Sequence, residues 1–136
     1  MDGPSIDYIE GRVFSFDDES AIRLDFLQTI DYSGTQQRIS YQINEFMVFC
    51  TFSGLPDTVI VWVDYIPQNK LLELKSLKYY FISFRNVGIF QEDVTSRIFN
   101  HLNPLLEPEE LLIKTCYSTR GGIDTTCTIN SNEQES

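Results

Sequence analysis

Residues 58–66, with the sequence TVIVWVDYI, constrain the fold of this chain more than any other segment. β-branched and aromatic side chains dominate it, which is typical of a β-strand. Both faces of such a strand are apolar, and a strand of this kind needs cover on both sides. The segment therefore predicts a sheet inside a larger domain, and a chain of 136 residues is long enough to bury the core of one.

Other segments predict further strands around this one. A long strand is expected over 38–49, and two more are expected over 111–118 and 123–129. Apolar and polar residues also alternate over 22–26, which predicts a short strand there.

Two helices are predicted between the second and third of these long strands. Apolar residues recur at helical spacing over 77–84, and Ser76 is the expected N-cap. A second helix is expected over 90–102. The pair Asn103–Pro104 should end it, because a proline disfavours helical geometry in the residue before it.

The resulting order of elements is ββααββ. Two adjacent helices after a strand pair predict an α+β fold, in which a four-stranded antiparallel sheet carries both helices on one face. We expect an N-terminal arm over 1–21, the folded domain over 22–130 and a disordered tail over 131–136. Pairing of edge strands into a homo-oligomer would cover the remaining apolar surface.

Charge and composition exclude several classes of function. The chain has 20 acidic and 10 basic residues and a formal net charge of -10, which argues against nucleic-acid and membrane partners. No apolar run approaches the ~20 residues of a membrane span, and the N-terminus lacks the pattern of a signal peptide. Three cysteines without a CxxC pair and a single histidine favour reduced thiols in a cytoplasmic protein, and they predict no metal site.

Cys50 and Asp57 are the first candidates for chemistry. Cys50 follows a predicted strand and precedes a loop rich in Gly and Pro, and Asp57 lies at the start of the next strand. A hairpin of that length would bring the two together, as a nucleophile and a proton donor. The alternative is a small buried cysteine and an ordinary turn aspartate.

Cationic residues suggest an anion site. Lys75 and Lys78 lie at the start of the first helix, where backbone N–H groups also favour a phosphate, and Arg120 precedes a glycine turn at Gly121. The alternative is a solvated helix end and an ordinary turn. Glu92, in the first turn of the second helix, could hold a guanine-like edge or merely complement the helix dipole.

Taken together, these segments resemble the signatures of one enzyme family. Residues 45–57 resemble the stretch EFTSLCPxTGQPD, and residues 73–86 resemble ESKSLKLYLxSFRN. Residues 90–93 fall on the motif FHED, and residues 119–123 on PRGGI. These are the signatures of the QueF family, the NADPH-dependent 7-cyano-7-deazaguanine (preQ0) reductases. The match spans roughly 45–127, and the chain is similar to the short, single-domain type.

The resemblance implies a tunnelling fold (T-fold), whose subunits join into pentameric rings that can stack as a decamer, with active sites between subunits. It also implies reduction of preQ0 to preQ1 with two NADPH, a step of queuosine biosynthesis for tRNA modification. Cys50 would form a covalent thioimide and Asp57 would supply a proton. The implied substrate-binding residues are Leu72, Glu73, Leu74, Gln91 and Glu92, and the implied NADPH-binding residues are Lys75, Ser76, Lys78, Arg120 and Gly121.

The chain departs from the family pattern at three positions. Leu74 replaces a serine, Gln91 replaces a histidine and Thr51 replaces a proline. Because a glutamine amide cannot relay protons as a histidine does, binding should survive this change better than turnover. Two other functions stay open: a QueF-like amidine-forming transferase acting on a preQ0 base, and a non-catalytic T-fold protein that binds a purine-like ligand.

Overall fold

The computed structural model of the chain describes residues 16–51 and 54–134. Most of the predicted N-terminal arm (1–15) and the end of the predicted tail (135–136) lie outside the described residues. The strands are β1 (Thr29–Asp31), β2 (Ile39–Phe49), β3 (Pro56–Ile66), β4 (Lys70–Leu72), β5 (Glu110–Tyr117) and β6 (Thr126–Asn130). The helices are α1 (Leu74–Ile82) and α2 (Gln91–Leu106), which lie between β4 and β5.

The main sheet has four antiparallel strands in the order β2-β3-β5-β6. Alternate side chains of β3, including Val59, Val61 and Val63, are fully buried. They form a single core with the apolar side chains of both helices. Phe46 of β2, for example, contacts Phe81 of α1 edge-on, with ring centroids 5.3 Å apart. This arrangement confirms the predicted α+β fold with a four-stranded antiparallel sheet.

The other face of the main sheet is only partly covered by the described residues. Ile60 and Trp62 of β3 are half-buried there, although the sequence predicted cover on both sides. The ammonium group of Lys114 lies 4.9 Å from the centroid of the Trp62 ring. Among the described elements, none covers this apolar face as fully as the two helices cover the opposite face.

Two short features differ from the predictions. Residues 22–26 form no strand. Leu24–Phe26 is a 3-10 turn, whose neighbours Ile22 and Leu27 are buried in the core. β1 and β4 instead pair into a small antiparallel sheet, with Thr29 opposite Leu72. Strands of three residues are too short to produce a recognisable alternation, so the sequence did not reveal them.

The helix ends also differ. α1 begins three residues earlier than expected, because Glu73 rather than Ser76 is its N-cap. α2 continues past Asn103 to Leu106, with Pro104 inside its last turn. Burial of Leu106 in the core offsets the hydrogen bond that the proline cannot make.

The chain also continues in regular structure past the predicted end of the domain. Ser131–Glu133 form a 3-10 turn where the sequence predicted a disordered tail. The hydroxyl of Ser131 accepts a hydrogen bond from the Leu111 N–H at 2.9 Å, which attaches this turn to the start of β5.

Candidate active site

A cavity of about 300 Å³ lies where the end of β2, the start of β3, the first turn of α2 and the turn after β5 meet. It brings together five of the residues that the sequence proposed for the site: Cys50, Asp57, Gln91, Glu92 and Arg120. Ile89, Phe90 and Thr51 complete its lining. No role was predicted for Ile89 or Phe90. The sequence signal for this part of the cavity was the FHED-like motif, which contains Phe90.

The hairpin between β2 and β3 places Cys50 near Asp57. Asp57 lies opposite Val48 in the paired strands β2 and β3. Cys50 is two positions after Val48, so it lies on the same face of the sheet as Val48 and Asp57. The Cys50 N–H donates to the Leu55 carbonyl at 2.9 Å, and the Gly54 N–H donates to the Cys50 carbonyl at 2.8 Å. Gly54 has a φ of 69°, a left-handed conformation that favours glycine and closes this loop tightly.

Asp57 is buried and forms an ion pair with Arg120. Asp57 is only 7% exposed to solvent. The Arg120 Nε donates to Asp57 Oδ1 at 3.0 Å, and the Arg120 Nη2 donates to Asp57 Oδ2. These hydrogen bonds are the main cause of the raised pKa of Arg120. An interaction with the Cys50 side chain raises this pKa further, by a smaller amount. The guanidinium therefore interacts with both proposed catalytic residues.

The turn after β5 fixes the position of Arg120. The Arg120 N–H donates to the Ile123 carbonyl at 3.0 Å, and the Ile123 N–H donates back to the Arg120 carbonyl at 2.9 Å. The two residues between them, Gly121 and Gly122, have φ values of 56° and 77°. Two consecutive left-handed residues are the geometry of a tight primed hairpin turn, which explains the glycine pair.

Tyr117 supports the cavity from β5. It is buried, and its hydroxyl donates to the backbone carbonyl of Gln91 at 3.3 Å. Burial, followed by the nearby Cys127, Asp57 and Glu92 side chains, raises the pKa of Tyr117 well above its ordinary value. The phenol therefore stays neutral and holds the start of α2 against the sheet.

Of the other predicted site residues, Gly121 lies in the turn after β5, and the rest lie around the start of α1, outside this cavity. Glu73 caps the helix, since its Oε1 accepts from the Lys75 N–H at 3.1 Å and its Oε2 from the Ser76 N–H at 2.6 Å. These backbone hydrogen bonds, led by that from Ser76, lower the pKa of Glu73. The Ser76 hydroxyl accepts from the Gln28 N–H at 3.0 Å and donates to the Glu73 carbonyl. A phosphate at this helix end would therefore meet the Lys75 side chain rather than these two backbone groups.

Leu72 and Leu74 lie in different environments. The Leu72 side chain is buried in the core, and its N–H donates to the Tyr65 hydroxyl at 3.1 Å. Leu74 is 58% exposed and, with Lys78, lines a cavity of about 570 Å³ between β2 and α1. Within the described chain, the residues around α1 and the Cys50 cavity do not form one site.

Neither a metal centre nor a membrane-spanning helix is found in the part of the chain that the structure describes. No group of three or more His, Cys, Asp and Glu side chains in 16–51 and 54–134 is placed to hold a metal ion. No helix in the same residues is long and apolar enough to cross a membrane.

The fold and the site define a class of protein: an α+β chain of the T-fold type, with a cysteine and a buried carboxylate at one end of its sheet. A family model described as QueF-like protein matches residues 56–136. The NADPH-dependent 7-cyano-7-deazaguanine reductase of Thermotoga petrophila is 49% identical over 125 residues, which cover 91% of this chain and 91% of that protein. The protein of the same name from Caldicellulosiruptor bescii is 40% identical over 121 residues, covering 88% of this chain and 92% of that protein. The chain belongs to the QueF family.

A solved structure supports the fold. The crystal structure of the archaeosine synthase QueF-Like in the apo form matches this chain with a TM-score of 0.64, covering 76% of this chain and 100% of that chain. At 19% sequence identity this likeness concerns the fold alone, and it confirms the expected T-fold architecture.

Proposed function

We propose that this chain is an NADPH-dependent oxidoreductase that reduces the nitrile of preQ0 to the aminomethyl group of preQ1. The observation that carries the proposal is the single cavity lined by Cys50, Asp57 and Glu92. The names of relatives that match nine-tenths of the chain support the same activity. The reaction belongs to queuosine biosynthesis, and we place the enzyme in the cytoplasm.

Cys50 and Asp57 carry the covalent step. The Cys50 sulfur bonds to the nitrile carbon, one π bond of the C≡N group breaks, and the thiol proton passes through Asp57 to the nitrogen. The product is a thioimide, whose C=N bond accepts a hydride more readily than the nitrile does. Two NADPH molecules bound in turn would each provide one hydride for this carbon, and solvent would provide one proton for each hydride. After the first reduction the C–S bond breaks, the Cys50 thiol is restored and the substrate becomes an imine, which the second hydride and proton convert to the amine.

Glu92 and Gln91 hold the substrate base. A carboxylate at Glu92 accepts two hydrogen bonds from the amide edge of a deazaguanine, and the Gln91 side chain can donate one to it. Both residues line the Cys50 cavity at the start of α2. The dipole of α2 would by itself favour an acidic residue in its first turn. Glu92 also lines the same cavity as Cys50, and this position supports a role in binding the substrate.

We also propose that a second copy of the chain completes the site, within a pentameric ring that can stack as a decamer. Two observations support this. The residues around α1 (Leu72, Glu73, Leu74, Lys75, Ser76 and Lys78) lie outside the Cys50 cavity of their own chain. β2 and β6 end the sheet, so each has an edge that can pair with another subunit.

The NADPH site that we propose uses cationic side chains from two places. Lys75 and Lys78 provide ammonium groups on α1, and Arg120 and Gly121 lie on the turn after β5. Lys75 is exposed, and charge-assisted hydrogen bonds from such groups suit the extra phosphate of NADPH. The Ser76 hydroxyl already bonds within the chain, so its part in binding would require an exchange of partners. The domain that binds both ligands is residues 22–130, preceded by the arm over 1–21.

The test is NADPH oxidation, followed by absorbance, with preQ0 as substrate and Cys50→Ala as the control. We expect two NADPH consumed per preQ0 by the wild type and none by the variant. No consumption by the wild type would count against the reductase. The replacement of a histidine by Gln91 would then favour a second candidate, a protein that binds a purine-like ligand without turnover. A preQ0 adduct on Cys50, measured by intact mass, would separate a stalled enzyme from such a binder.

A further inference from the structure

The Cys50 cavity has an unusual balance of charge for a site with a nucleophilic thiol. Two carboxylates line it, those of Asp57 and Glu92. Arg120 is the only cationic residue among the described residues that line it. A Cys50 thiolate would be a third negative charge in the same small space. Like charges disfavour ionisation of a thiol and an adjacent cation favours it, so the reactivity of Cys50 depends on Arg120.

The geometry of Arg120 matches this requirement. Two of its three guanidinium nitrogens, Nε and Nη2, donate to the two oxygens of Asp57. The same guanidinium also interacts with the Cys50 side chain. A fork of this kind fixes the carboxylate in orientation as well as in charge. The glycine turn holds the Arg120 backbone through its reciprocal hydrogen bonds with Ile123.

This arrangement limits the part that Arg120 can take in the NADPH site proposed above. A guanidinium that binds the phosphate of NADPH needs donors directed towards that phosphate. Here the bidentate bond to Asp57 occupies one side of the fork, and the Asp57 carboxyl group lies inside the chain at 9% side-chain exposure. Full release of Arg120 to a phosphate would leave that carboxylate without its cation, which is costly for a buried charge. A contact with NADPH would therefore use the remaining nitrogen, Nη1, while the bonds from Nε and Nη2 to Asp57 stay in place.

We propose that Arg120 is a positioning residue for the pair Cys50 and Asp57: its guanidinium orients the Asp57 carboxylate and stabilises the Cys50 thiolate. The consequence for catalysis rests on the proposed function. The stabilisation of the thiolate does not, because it is a property of the protein without ligands.

The other titratable groups around this pair come from three elements. Glu92 faces it from α2. Tyr117 of β5 interacts with Asp57, Glu92 and Arg120, and also with Cys127 of β6. Because Tyr117 stays neutral at ordinary pH, it supplies no charge to the site. Asp57 and Glu92 therefore oppose the thiolate, and Arg120 favours it.

The experiment is the pH dependence of Cys50 alkylation by iodoacetamide, with peptide mass spectrometry to separate Cys50 from Cys116 and Cys127. It compares the wild type with Arg120→Gln and with Arg120→Met, an uncharged variant of similar length. Arg97→Gln is the matched control, because Arg97 also pairs with a carboxylate and its side chain is 34% exposed, against 41% for Arg120. Circular dichroism and the Tm establish that each variant is folded.

We expect the alkylation midpoint to rise by about one pH unit or more in both Arg120 variants, and to stay unchanged in Arg97→Gln. At a pH below the midpoint, a shift of one unit means about tenfold slower alkylation. The KM for NADPH is measured in parallel. A shifted midpoint supports the proposal whether or not that KM also changes.

An unchanged midpoint in a folded Arg120 variant would overturn the inference, and a raised KM for NADPH in that variant would assign Arg120 to the cofactor instead. Alkylation needs neither preQ0 nor NADPH. A failure of the proposed reductase activity would therefore leave this result interpretable, and the two hypotheses fail separately.

Discussion

The hydroxyl oxygens of Thr95 and Thr115 lie 2.6 Å apart, in the buried layer between α2 and the main sheet. Both residues are almost fully buried, so each hydroxyl is the polar partner of the other. The contact joins α2 to β5 one turn after Gln91 and Glu92. It therefore helps to fix the helix end that carries two proposed substrate-binding residues.

The first prediction concerns this pair. Thr115→Val should lower the free energy of unfolding by about 1–3 kcal/mol, because it leaves the Thr95 hydroxyl buried without its partner. Adding Thr95→Val should recover part of that loss, since the double variant has no unpaired hydroxyl. Urea unfolding of both single variants and the double variant measures this coupling. Strictly additive losses would mean that the two hydroxyls do not depend on each other.

The second prediction concerns Cys50. Cys50→Ala should abolish NADPH consumption with preQ0 and should change the Tm little, because the half-buried thiol is a minor part of the core. Cys116→Ala is the matched control, since Cys116 is also half-buried but lies on β5 away from the proposed cavity. Turnover that survives in Cys50→Ala would remove the covalent mechanism.

The third prediction separates the two ligands. Lys75→Ala should raise the KM for NADPH about tenfold while changing the KM for preQ0 much less, because a charge-assisted hydrogen bond contributes ~1.5–3 kcal/mol. Lys70→Ala is the control. Lys70 is also partly exposed, but it pairs with Glu107 at 2.9 Å, away from the start of α1. Equal losses for both ligands in Lys75→Ala would place the lysine elsewhere than at the phosphate.

The fourth prediction tests the departure at Gln91. Gln91→His should raise kcat by tenfold or more if the missing imidazole limits proton transfer, since general acid–base catalysis contributes ~10²–10⁴-fold. The backbone carbonyl that accepts from Tyr117 is kept in the variant, so the helix end should not move. An unchanged kcat would indicate that a water or another group already transfers the proton.

The long elements of the fold could be predicted from the sequence. β3 is a nearly continuous run of β-branched and aromatic residues, β5 alternates over its eight residues, and the helical spacing of α2 is sustained over four turns. In each of these segments residue type or period indicates one structure throughout. The ends were less predictable, because α2 accommodates Pro104 through burial in the core, which depends on tertiary contacts.

The candidate site could be predicted only in part. The hairpin that brings Cys50 to Asp57 follows from chain distance and from the Gly and Pro of its loop. The pairing of Arg120 with Asp57 spans 63 residues and depends on the register of β3 and β5, which no local pattern encodes. The capping role of Glu73 was missed for another reason, since Ser76 is the more usual N-cap residue type.

The last prediction concerns pH and the single histidine, His101. Its Nδ1 lies 2.7 Å from the Tyr80 hydroxyl, and burial, followed by the nearby Arg97 charge, lowers the pKa of His101. A histidine whose pKa is lower in the folded state binds fewer protons there than in the unfolded chain. Its contribution to stability is therefore complete above pH ~6.5 and is lost as the pH falls from there towards the folded-state pKa.

We expect His101→Asn, which removes the titrating group, to weaken the fall in the free energy of unfolding between pH ~7.5 and ~5.5. Urea unfolding across that range measures the slope for both proteins. Identical slopes would show that His101 has the same proton affinity in the folded and unfolded states, contrary to the effect of its burial beside Tyr80 and Arg97.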